Sequence, residues 1–597
     1  MSEKYAKIRA GVFGALYLIP AVFIISCHNP NKGTGNKPIA TLQEYRELRQ
    51  EKLNKQRPLV WDSDGCDALR EEFPIDTLYG MYPRDKPFSI AGFLDIRTTP
   101  LIGTDVSTIS LSTLGSGFGQ FTHRTKAGTF FQADPEHPFP DSPTSFRIIS
   151  LIPDFIKLGT DPLEVVTQFA HENKFEMFWS NRMNDTHDKM WDSLGRPSPL
   201  WTKFKADHPE YLFGKRTLWN DEKQTVIGDK LPHGAWSAVN FELPEIRNMV
   251  VQFFTEVCEN YDVDGVVMDF FRHLHLFKNV ANGDIASAEQ IAMITDMVKQ
   301  IREMTEKVGM KKGKPILLGV RIPDSYQYCR GIGIDLEGWM KDGLVDMVVG
   351  GSYFRLNPLK YLIDEGRKYN VKVYADLSET RVQNEHPLMF RKQNAVYYRS
   401  RAAAAWEAGV DGIYSFDEYT PKPARARYLW EIGNAEKLKN KNELYFVTDL
   451  APVHGIWNSP SGYLKDGEQY YNRPVLIPDL RVPLNSKPID LPIEIGNESA
   501  PAKSALVLYT RGTDPKLLHV SLNGYSLKYM KSDSQGLCSF DVSSGAVVRG
   551  TNNIKISYNQ QSIGASKGAE LLDAAMLFVR NDEDGEIKPL AAFCFGE

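Results

Sequence analysis

Asp269 is the residue whose position points most directly to chemistry, because it ends the apolar run at 265–268. A carboxylate at the end of a buried strand costs free energy unless it is paired or takes part in a reaction. Arg272 follows three positions later and could keep Asp269 ionised or bind a substrate oxygen. We therefore expect Asp269 to be either a catalytic nucleophile or base, or one half of a structural Asp–Arg pair.

Other polar side chains also follow apolar runs, and a hydroxyl-rich ligand needs such converging donors and acceptors. The stretch after residue 179 is the densest, with Asn, Arg, Asp and His in close succession. A solvated loop with Asn and Asp as turn residues is the alternative. The side chains predicted to bind substrate are Asp62, Asp64, Arg182, Asn184, His187, Arg272, His273, Arg321, Tyr353, Asp376, Asp417 and Glu418.

Metal, cofactor and nucleic-acid chemistry find little support in the sequence. His273 and His275 lack an evident third ligand, and neither a His-Glu-x-x-His motif nor a Cys-x-x-Cys pair occurs. We therefore predict no metal and no cofactor, and we expect most cysteines beyond the N-terminal segment to be buried free thiols. The formal net charge of −5 argues against a nucleic-acid partner, which would need a basic face.

The elements that must position these residues alternate between β-rich runs and helical stretches, which predicts a parallel sheet covered by helices. Strands are predicted at 58–61, 106–111, 175–179, 265–268, 316–320, 347–349, 371–374 and 412–416. Helical periodicity marks 162–171, 245–261, 286–308, 336–341, 360–369 and 395–408. Eight strand–helix units predict a (β/α)8 TIM barrel. A doubly wound open sheet is the alternative, although no Gly-rich phosphate loop follows the first strand.

The fourth predicted strand carries a family resemblance. Residues 264–272 read Asp-Gly-Val-Val-Met-Asp-Phe-Phe-Arg. This resembles the family-10-like glycosyl hydrolase domain of bacterial exported proteins, whose fourth strand typically reads Asp-Gly-Ile-x-Phe-Asp-Tyr-x-Arg. Asp264, Gly265, Asp269 and Arg272 match that pattern. The resemblance implies a TIM barrel that handles carbohydrate, with residues 57–440 forming the barrel domain.

Glycoside hydrolysis normally needs a second carboxyl group besides Asp269. We prefer Glu379 as the partner, because many glycosidase barrels carry a Glu after the seventh strand, and Asp185 and Glu418 are the competing candidates. The prediction is a glycosidase that acts on polysaccharide or oligosaccharide. One alternative is a barrel that has lost its second acid and only binds glycan, and another is a different hydrolase or lyase on the same scaffold.

Residues 441–597 follow a different pattern, with short alternating strands between Pro- and Asn-rich turns. Strands are predicted at 475–477, 493–495, 504–509, 517–522, 554–558 and 574–580. This indicates an all-β sandwich. The expected pairing of 520–524 with 549–556 resembles the galactose-binding-like jelly rolls that are appended to many glycosidases. Such modules bind sugar or brace the barrel, and bracing is the interpretation that we favour.

The first 27 residues have the pattern of a targeting signal. A basic start precedes an apolar run at 11–26, which is broken by Pro20 and is short for a membrane span. The run ends at Ser26-Cys27 and resembles the lipobox of bacterial lipoproteins, which implies cleavage before Cys27 and lipidation of its thiol, for example with palmitate. An uncleaved signal anchor is the alternative.

Residues 28–56 are predicted to form a tether and an N-terminal helix, because 28–39 are rich in Asn, Gly, Pro and Lys. The expected location is outside the cytoplasm, with a lipid anchor to the bacterial cell envelope. Carbohydrate and the membrane are the expected partners.

Overall fold

A computed structural model describes most of the chain. The described residues are 37–70, 80–113, 116–131, 149–189, 197–215, 219–220, 225–226, 232–377, 395–416, 426–447, 459–472, 482–484, 487–497, 503–542, 545–558, 568–581 and 587–596. Four residues singled out above, Cys27, Glu379, Asp417 and Glu418, lie outside these ranges, so their assignments remain predictions.

Eight parallel strands close into a barrel, and each overlaps a run that the sequence marks as β-rich. They are β1 (Leu59–Ser63), β2 (Thr108–Leu111), β3 (Glu176–Arg182), β4 (Gly265–Asp269), β5 (Leu317–Ile322), β6 (Met347–Gly350), β7 (Lys372–Asp376) and β8 (Gly412–Ser415). Each strand pairs with its neighbours in chain order, and β1 pairs with β8 to close the ring. The TIM barrel is therefore confirmed, and the open doubly wound sheet is excluded.

Helices surround the barrel, and all six predicted helices are present. They are α1 (Leu42–Leu53), α2 (Ile90–Arg97), α3 (Ile152–Lys157), α4 (Pro162–Glu172), α5 (Lys203–Asp207), α6 (Pro244–Asn260), α7 (Lys278–Ala281), α8 (Ala288–Lys312), α9 (Tyr326–Ile332), α10 (Leu336–Lys341), α11 (Leu359–Tyr369), α12 (Ala395–Ala408), α13 (Ala435–Leu438) and α14 (Lys588–Phe595). The longest, α8, begins at a capping box between Ser287 and Gln290 and ends at Gly313, whose φ of 69° is in the left-handed region.

Three strands begin directly after an aspartate that binds the neighbouring strand. The carboxylates of Asp264, Asp346 and Asp411 accept backbone N–H groups of β3, β5 and β7 at 3.0, 2.7 and 2.9 Å. This contact explains why Val-Asp recurs before β4, β6 and β8. These aspartates lie at the N-terminal ends of the strands, the end of a TIM barrel that serves stability rather than catalysis.

Gly412 lies at the seam where β8 meets β1, and this seam gives a prediction about stability. A Cβ atom at this position would overlap the carbonyl oxygen of Arg57 and would lie 2.6 Å from the Tyr374 ring. A backbone oxygen has no rotamer that could relieve the overlap. Gly412→Ala is therefore expected to lower the free energy of unfolding by about 2 kcal/mol or more, measured by urea denaturation.

Gly545→Ala is the matched control, because no heavy atom lies within 4 Å of the added Cβ. Its stability should stay within about 0.5 kcal/mol of the parent. Equal stabilities of the two alanine variants would contradict the tight seam.

The C-terminal part contains two antiparallel sheets. Their strands are β9 (Glu443–Phe446), β10 (Val482–Pro483), β11 (Ile489–Ile495), β12 (Lys503–Arg511), β13 (Leu518–Leu522), β14 (Tyr525–Ser526), β15 (Lys528–Ser532), β16 (Leu537–Asp541), β17 (Gly550–Tyr558) and β18 (Glu570–Val579). One sheet has the order β9-β18-β12-β16-β15, with β10 also on β18, and the other has the order β11-β17-β13-β14. The expected pairing of 520–524 with 549–556 is present as β13 on β17.

The sheet that contains β12 is buried on both faces. Leu506 and Leu508 belong to the core between the two sheets, whereas Ala505 and Val507 belong to the core of the barrel. Alternate residues of one strand point to opposite faces of its sheet, so this sheet packs on both neighbours at once. The sheet therefore packs directly on the barrel, which is the arrangement that the bracing interpretation requires.

All five cysteines among the described residues are free thiols, and four of them are buried. No helix in the part of the chain that the structure describes combines the length and the apolar character that a membrane span requires.

Candidate active site

A buried arginine joins two carboxylates at the C-terminal end of the barrel. Arg321, the penultimate residue of β5, is in line with Asp269 on β4, and Arg182 on β3 is in line with Asp269 on the other side. Arg321 Nη1 donates to Asp269 Oδ1 at 2.8 Å, and Arg321 Nε donates to Asp376 Oδ2 at 2.6 Å. Because one guanidinium contacts both, the two carboxylates lie within about 8 Å of each other. That separation is compatible with either stereochemical class of glycosidase.

Arg321 is held by aromatic and polar groups as well as by the two carboxylates. Its Nη2 donates to Ser352 Oγ, and its guanidinium carbon lies 3.4 Å from the centre of the Phe416 ring. Burial alone would lower the pKa of Arg321, but Asp269 and Asp376 raise it well above the ordinary value. Arg321 is therefore a fixed cation that neutralises the carboxylates it contacts, whereas the sequence predicts that it binds substrate.

Asp269 is only 2% exposed, and its Oδ1 also accepts the backbone N–H of Phe271 at 2.9 Å. Burial raises the pKa of Asp269, although Arg321 and Arg182 oppose the shift. The expected ion pair with Arg272 is wrong, because Arg321 takes that place. Arg272 lies beyond the end of β4, and its guanidinium turns toward the loops after β3 and β6. This is the direction of shift that a proton donor needs, whereas the sequence suggests an ionised nucleophile or base.

Asp376 lines a cleft of about 120 Å³ between the barrel, α12 and the C-terminal sheets. Its Oδ1 is buried and has no hydrogen-bond partner, although carboxylate oxygens normally have one. Phe446, Arg401 and Glu494 line the same cleft. An acceptor without a donor at the edge of a polar cavity fits a site for water or for a ligand hydroxyl group.

The acids after β1 are engaged with protein groups. Asp62 Oδ1 accepts from the hydroxyls of Ser110 and Tyr414 at 2.8 and 2.6 Å. Asp64 accepts from Arg97 Nη1 at 2.6 Å. Burial would raise the pKa of Asp64, but Arg97 and Arg182 outweigh it and hold the value at about 2. Both acids lie at the C-terminal end of β1 and are part of a hydrogen-bond network within the protein, so substrate binding by them stays a prediction.

A second network joins the loops after β3 and β4. Asp185 is fully buried, and its Oδ1 accepts from His187 Nδ1 at 2.6 Å. His273 Nδ1 accepts the backbone N–H of Thr186 at 3.1 Å and lies 3.7 Å from Asp185 Oδ1. Burial would raise the pKa of Asp185, but the two histidines and Arg182 outweigh it, so the pKa lies well below the ordinary value.

Arg272 links this second network to the loop after β6. Its Nη2 donates to His187 Nε2 at 3.0 Å, and its Nη1 donates to the Tyr353 hydroxyl. The Arg321 guanidinium carbon lies 5.5 Å from the centre of the same Tyr353 ring. Side-chain contacts therefore run without a break from Asp376 through Arg321, Tyr353, Arg272 and His187 to Asp185.

By residue type, Asp185, His187 and His273 could hold a metal ion, since their ligand atoms lie within 4.8 Å of one another. Two guanidinium groups border this set, with Arg182 and Arg272 at 3.5 and 3.9 Å from Asp185 Oδ2. A cation placed there would meet both positive charges. The geometry fits a hydrogen-bonded Asp–His pair better than a metal centre.

Asn184, in the loop after β3, forms hydrogen bonds with the backbone of two other segments. Its amide nitrogen donates to the carbonyl oxygens of Val239 and His275, and its Oδ1 accepts the N–H of Val239 at 3.0 Å. These contacts give Asn184 a structural role, because it joins the loop after β3 to the backbone at Val239 and His275, whereas the sequence predicts that it binds substrate.

Arg97, Ser352 and Tyr414 were missed as residues of the site. Arg97 lies on α2, far from any predicted strand end, so its pairing with Asp64 has no signal in the sequence. Tyr414 lies inside β8, where an inward direction could have been inferred from the alternation of side chains along a strand.

No protein-family model and no curated protein matches this chain. Similar solved structures include the α-amylase of Geobacillus thermoleovorans, with a TM-score of 0.34 and 12% identity over 85% of this chain and 100% of that one. The PgaB glycoside hydrolase domain from Bordetella bronchiseptica matches with a TM-score of 0.36 and 8% identity, over 64% of this chain and 99% of that one. A family GH18 chitinase from Chromobacterium violaceum matches with a TM-score of 0.31 and 10% identity, over 89% of this chain and 90% of that one.

Proposed function

We propose that this protein is a glycosidase that hydrolyses polysaccharide or oligosaccharide at the C-terminal mouth of its barrel. The observation that carries the proposal is the pair of buried carboxylates, Asp269 and Asp376, on one guanidinium at that mouth. Hydrolysis of a glycosidic bond needs two carboxyl groups at this kind of separation. The cleft beside Asp376 provides space for a hydroxyl-bearing ligand.

The environments of the two carboxylates suggest different roles. Asp269 has the raised pKa that a general acid needs, so it protonates the glycosidic oxygen as the bond to the anomeric carbon breaks. Asp376 lines the cleft with an unpaired oxygen and faces the positive charge that develops on the sugar. Because Asp269 is buried, substrate must displace neighbouring groups to reach its carboxyl oxygen. Glu379, Asp417 and Glu418 remain candidates for further contacts.

A panel of glycans tests this function directly. Purified protein is incubated with neutral and acidic polysaccharides and with aryl glycosides, and the release of reducing ends is measured. Hydrolysis of at least one substrate is expected. Affinity for a glycan without any turnover would instead support the alternative of a glycan-binding barrel.

We also propose that the protein is exported and anchored to the bacterial cell envelope by a lipid on Cys27. The basic start, the short apolar run and the residues before Cys27 support this proposal. Cys27→Ala is expected to move the protein from the membrane fraction to a soluble or uncleaved form, measured by fractionation and by labelling with a palmitate analogue. Cys66→Ala is the control and should keep the label. A label that persists in Cys27→Ala would contradict the proposal.

A further inference from the structure

His187 is held in one tautomer by its two ring contacts. An ionised carboxylate can only accept, so Nδ1 carries the proton that is donated to Asp185 Oδ1 at 2.6 Å. A guanidinium can only donate, so Nε2 is the nitrogen with the free electron pair, which accepts from Arg272 at 3.0 Å. The Asp185 carboxylate also accepts the backbone N–H of His187 at 2.8 Å. This pair has the arrangement in which a carboxylate orients a neutral imidazole as a base.

His187 is also more accessible than the two carboxylates on Arg321. Its side chain is 31% exposed, whereas the side chains of Asp269 and Asp376 are 2% and 0% exposed. Asp185 behind it is fully buried, so the charge that would stabilise an imidazolium ion is shielded from water. The His187 ring is therefore open to solvent, and its Nε2 becomes a proton acceptor for a small molecule once Arg272 moves away from it.

We propose that His187 is the general base of the reaction, positioned by Asp185, an inference that rests on the proposed glycosidase function. The oxygen of water bonds to the anomeric carbon while one water proton moves to His187 Nε2. The bond between the anomeric carbon and the leaving oxygen breaks, and that oxygen takes the proton of Asp269. Asp185 stabilises the imidazolium ion, and Arg272 releases Nε2 so that water can take its place. A single displacement by water gives a product with inverted configuration.

Several charged groups set the protonation of His187. Burial lowers its pKa, Asp185 raises it, and Arg272 and Arg182 lower it. His273 packs against it with ring centres 5.2 Å apart. Lys189, whose own pKa burial lowers to about 7, follows in the same loop. The neutral imidazole is therefore the form present at neutral pH, which is the form that a base requires.

Chemical rescue tests the proposal on the full-length protein. His187→Ala is expected to lower kcat by about 10²–10⁴-fold, and added imidazole should restore part of the rate. His519→Ala, an exposed histidine on β13, is the control and should keep the parent rate. A kcat within about twofold of the parent, or a loss that imidazole does not restore while the melting temperature falls, would overturn the proposal.

A second measurement does not depend on turnover. In protein with 15N-labelled histidine, NMR should show His187 with hydrogen on Nδ1, and its titration midpoint should lie below the ordinary histidine value. Asp185→Asn should lower that midpoint further, because the carboxylate favours the imidazolium form. Hydrogen on Nε2 instead, or a raised midpoint in Asp185→Asn, would overturn the role of Asp185.

The experiments separate the failure of this inference from the failure of the proposed function. If no glycan is hydrolysed but the NMR result holds, the glycosidase proposal fails and the Asp–His pair stands. The anomeric configuration of the product can be monitored by NMR. Hydrolysis with retained configuration would support the glycosidase proposal but would overturn the proposal that His187 is the general base. Loss of activity after EDTA treatment that zinc restores would replace the Asp–His base with a metal site.

Discussion

Asp269→Asn is expected to lower kcat on the identified glycan by about 10³–10⁴-fold while glycan affinity changes little. The variant keeps an oxygen that can still accept from Arg321 and from the Phe271 N–H, but it has no proton to give to the leaving oxygen. The stability loss should stay below about 2 kcal/mol for the same reason. The parent rate should also fall as the pH rises through the raised pKa of Asp269, because the acid form is then lost.

Asp346→Asn is the matched control for that experiment. Asp346 is a buried carboxylate that accepts from Arg302 Nη2 at 2.8 Å and lies at the opposite end of the barrel from Asp269. This change should destabilise the protein at least as much as Asp269→Asn, yet kcat of the folded enzyme should stay within about twofold. If kcat falls in proportion to stability in both variants, Asp269 is a structural residue and the proposed acid is wrong.

Arg321→Met is expected to have the largest effect on stability. It leaves Asp269 and Asp376 buried without their cation, and removing one partner of a buried ion pair typically costs about 3–5 kcal/mol. Thermal and urea unfolding at neutral pH measure the loss. Combining Arg321→Met with Asp269→Asn and Asp376→Asn removes the guanidinium together with both carboxyl groups and should recover much of the stability. No recovery in the triple variant would mean that packing of the guanidinium, rather than charge, is what matters.

The loss of unfolding free energy caused by Arg321→Met should be smaller in mild acid than at neutral pH. Arg321 lowers the pKa of Asp269, so its removal moves the folded-state pKa further above the unfolded value. A carboxyl group with a raised folded pKa contributes stability below the unfolded pKa and loses it as the pH rises through the folded pKa. Unfolding in mild acid should therefore show a smaller deficit than unfolding at neutral pH. A deficit that grows toward acid would contradict this account.

The barrel could be predicted from the sequence because strand and helix periodicities are local signals. All eight strands follow apolar runs of the right length, and the Val-Asp pairs before β4, β6 and β8 bind the neighbouring strand in the same way. The helix α9 was not predicted, since its seven residues give too little periodicity.

The pairing of charges at the mouth could not be predicted in the same way. Arg272 is near Asp269 in sequence, but Arg321, which is 52 positions away, is its partner. That contact depends on the register between β4 and β5, which residue spacing along one strand does not reveal. The sequence did identify Asp185, His187 and Arg272 as polar residues after β3 and β4. Their shared network depends on the path of two loops.

The two-sided burial of β12 has a consequence for modularity. Cutting the chain near residue 440 would expose the barrel surface that the C-terminal sheet covers. It would also expose Ala505 and Val507 on the C-terminal fragment. Neither fragment would keep a water-compatible surface, so calorimetry should record one cooperative endotherm for the intact chain. The C-terminal sheets therefore could not be exchanged between barrels unless the barrel surface that packs against Ala505 and Val507 were redesigned.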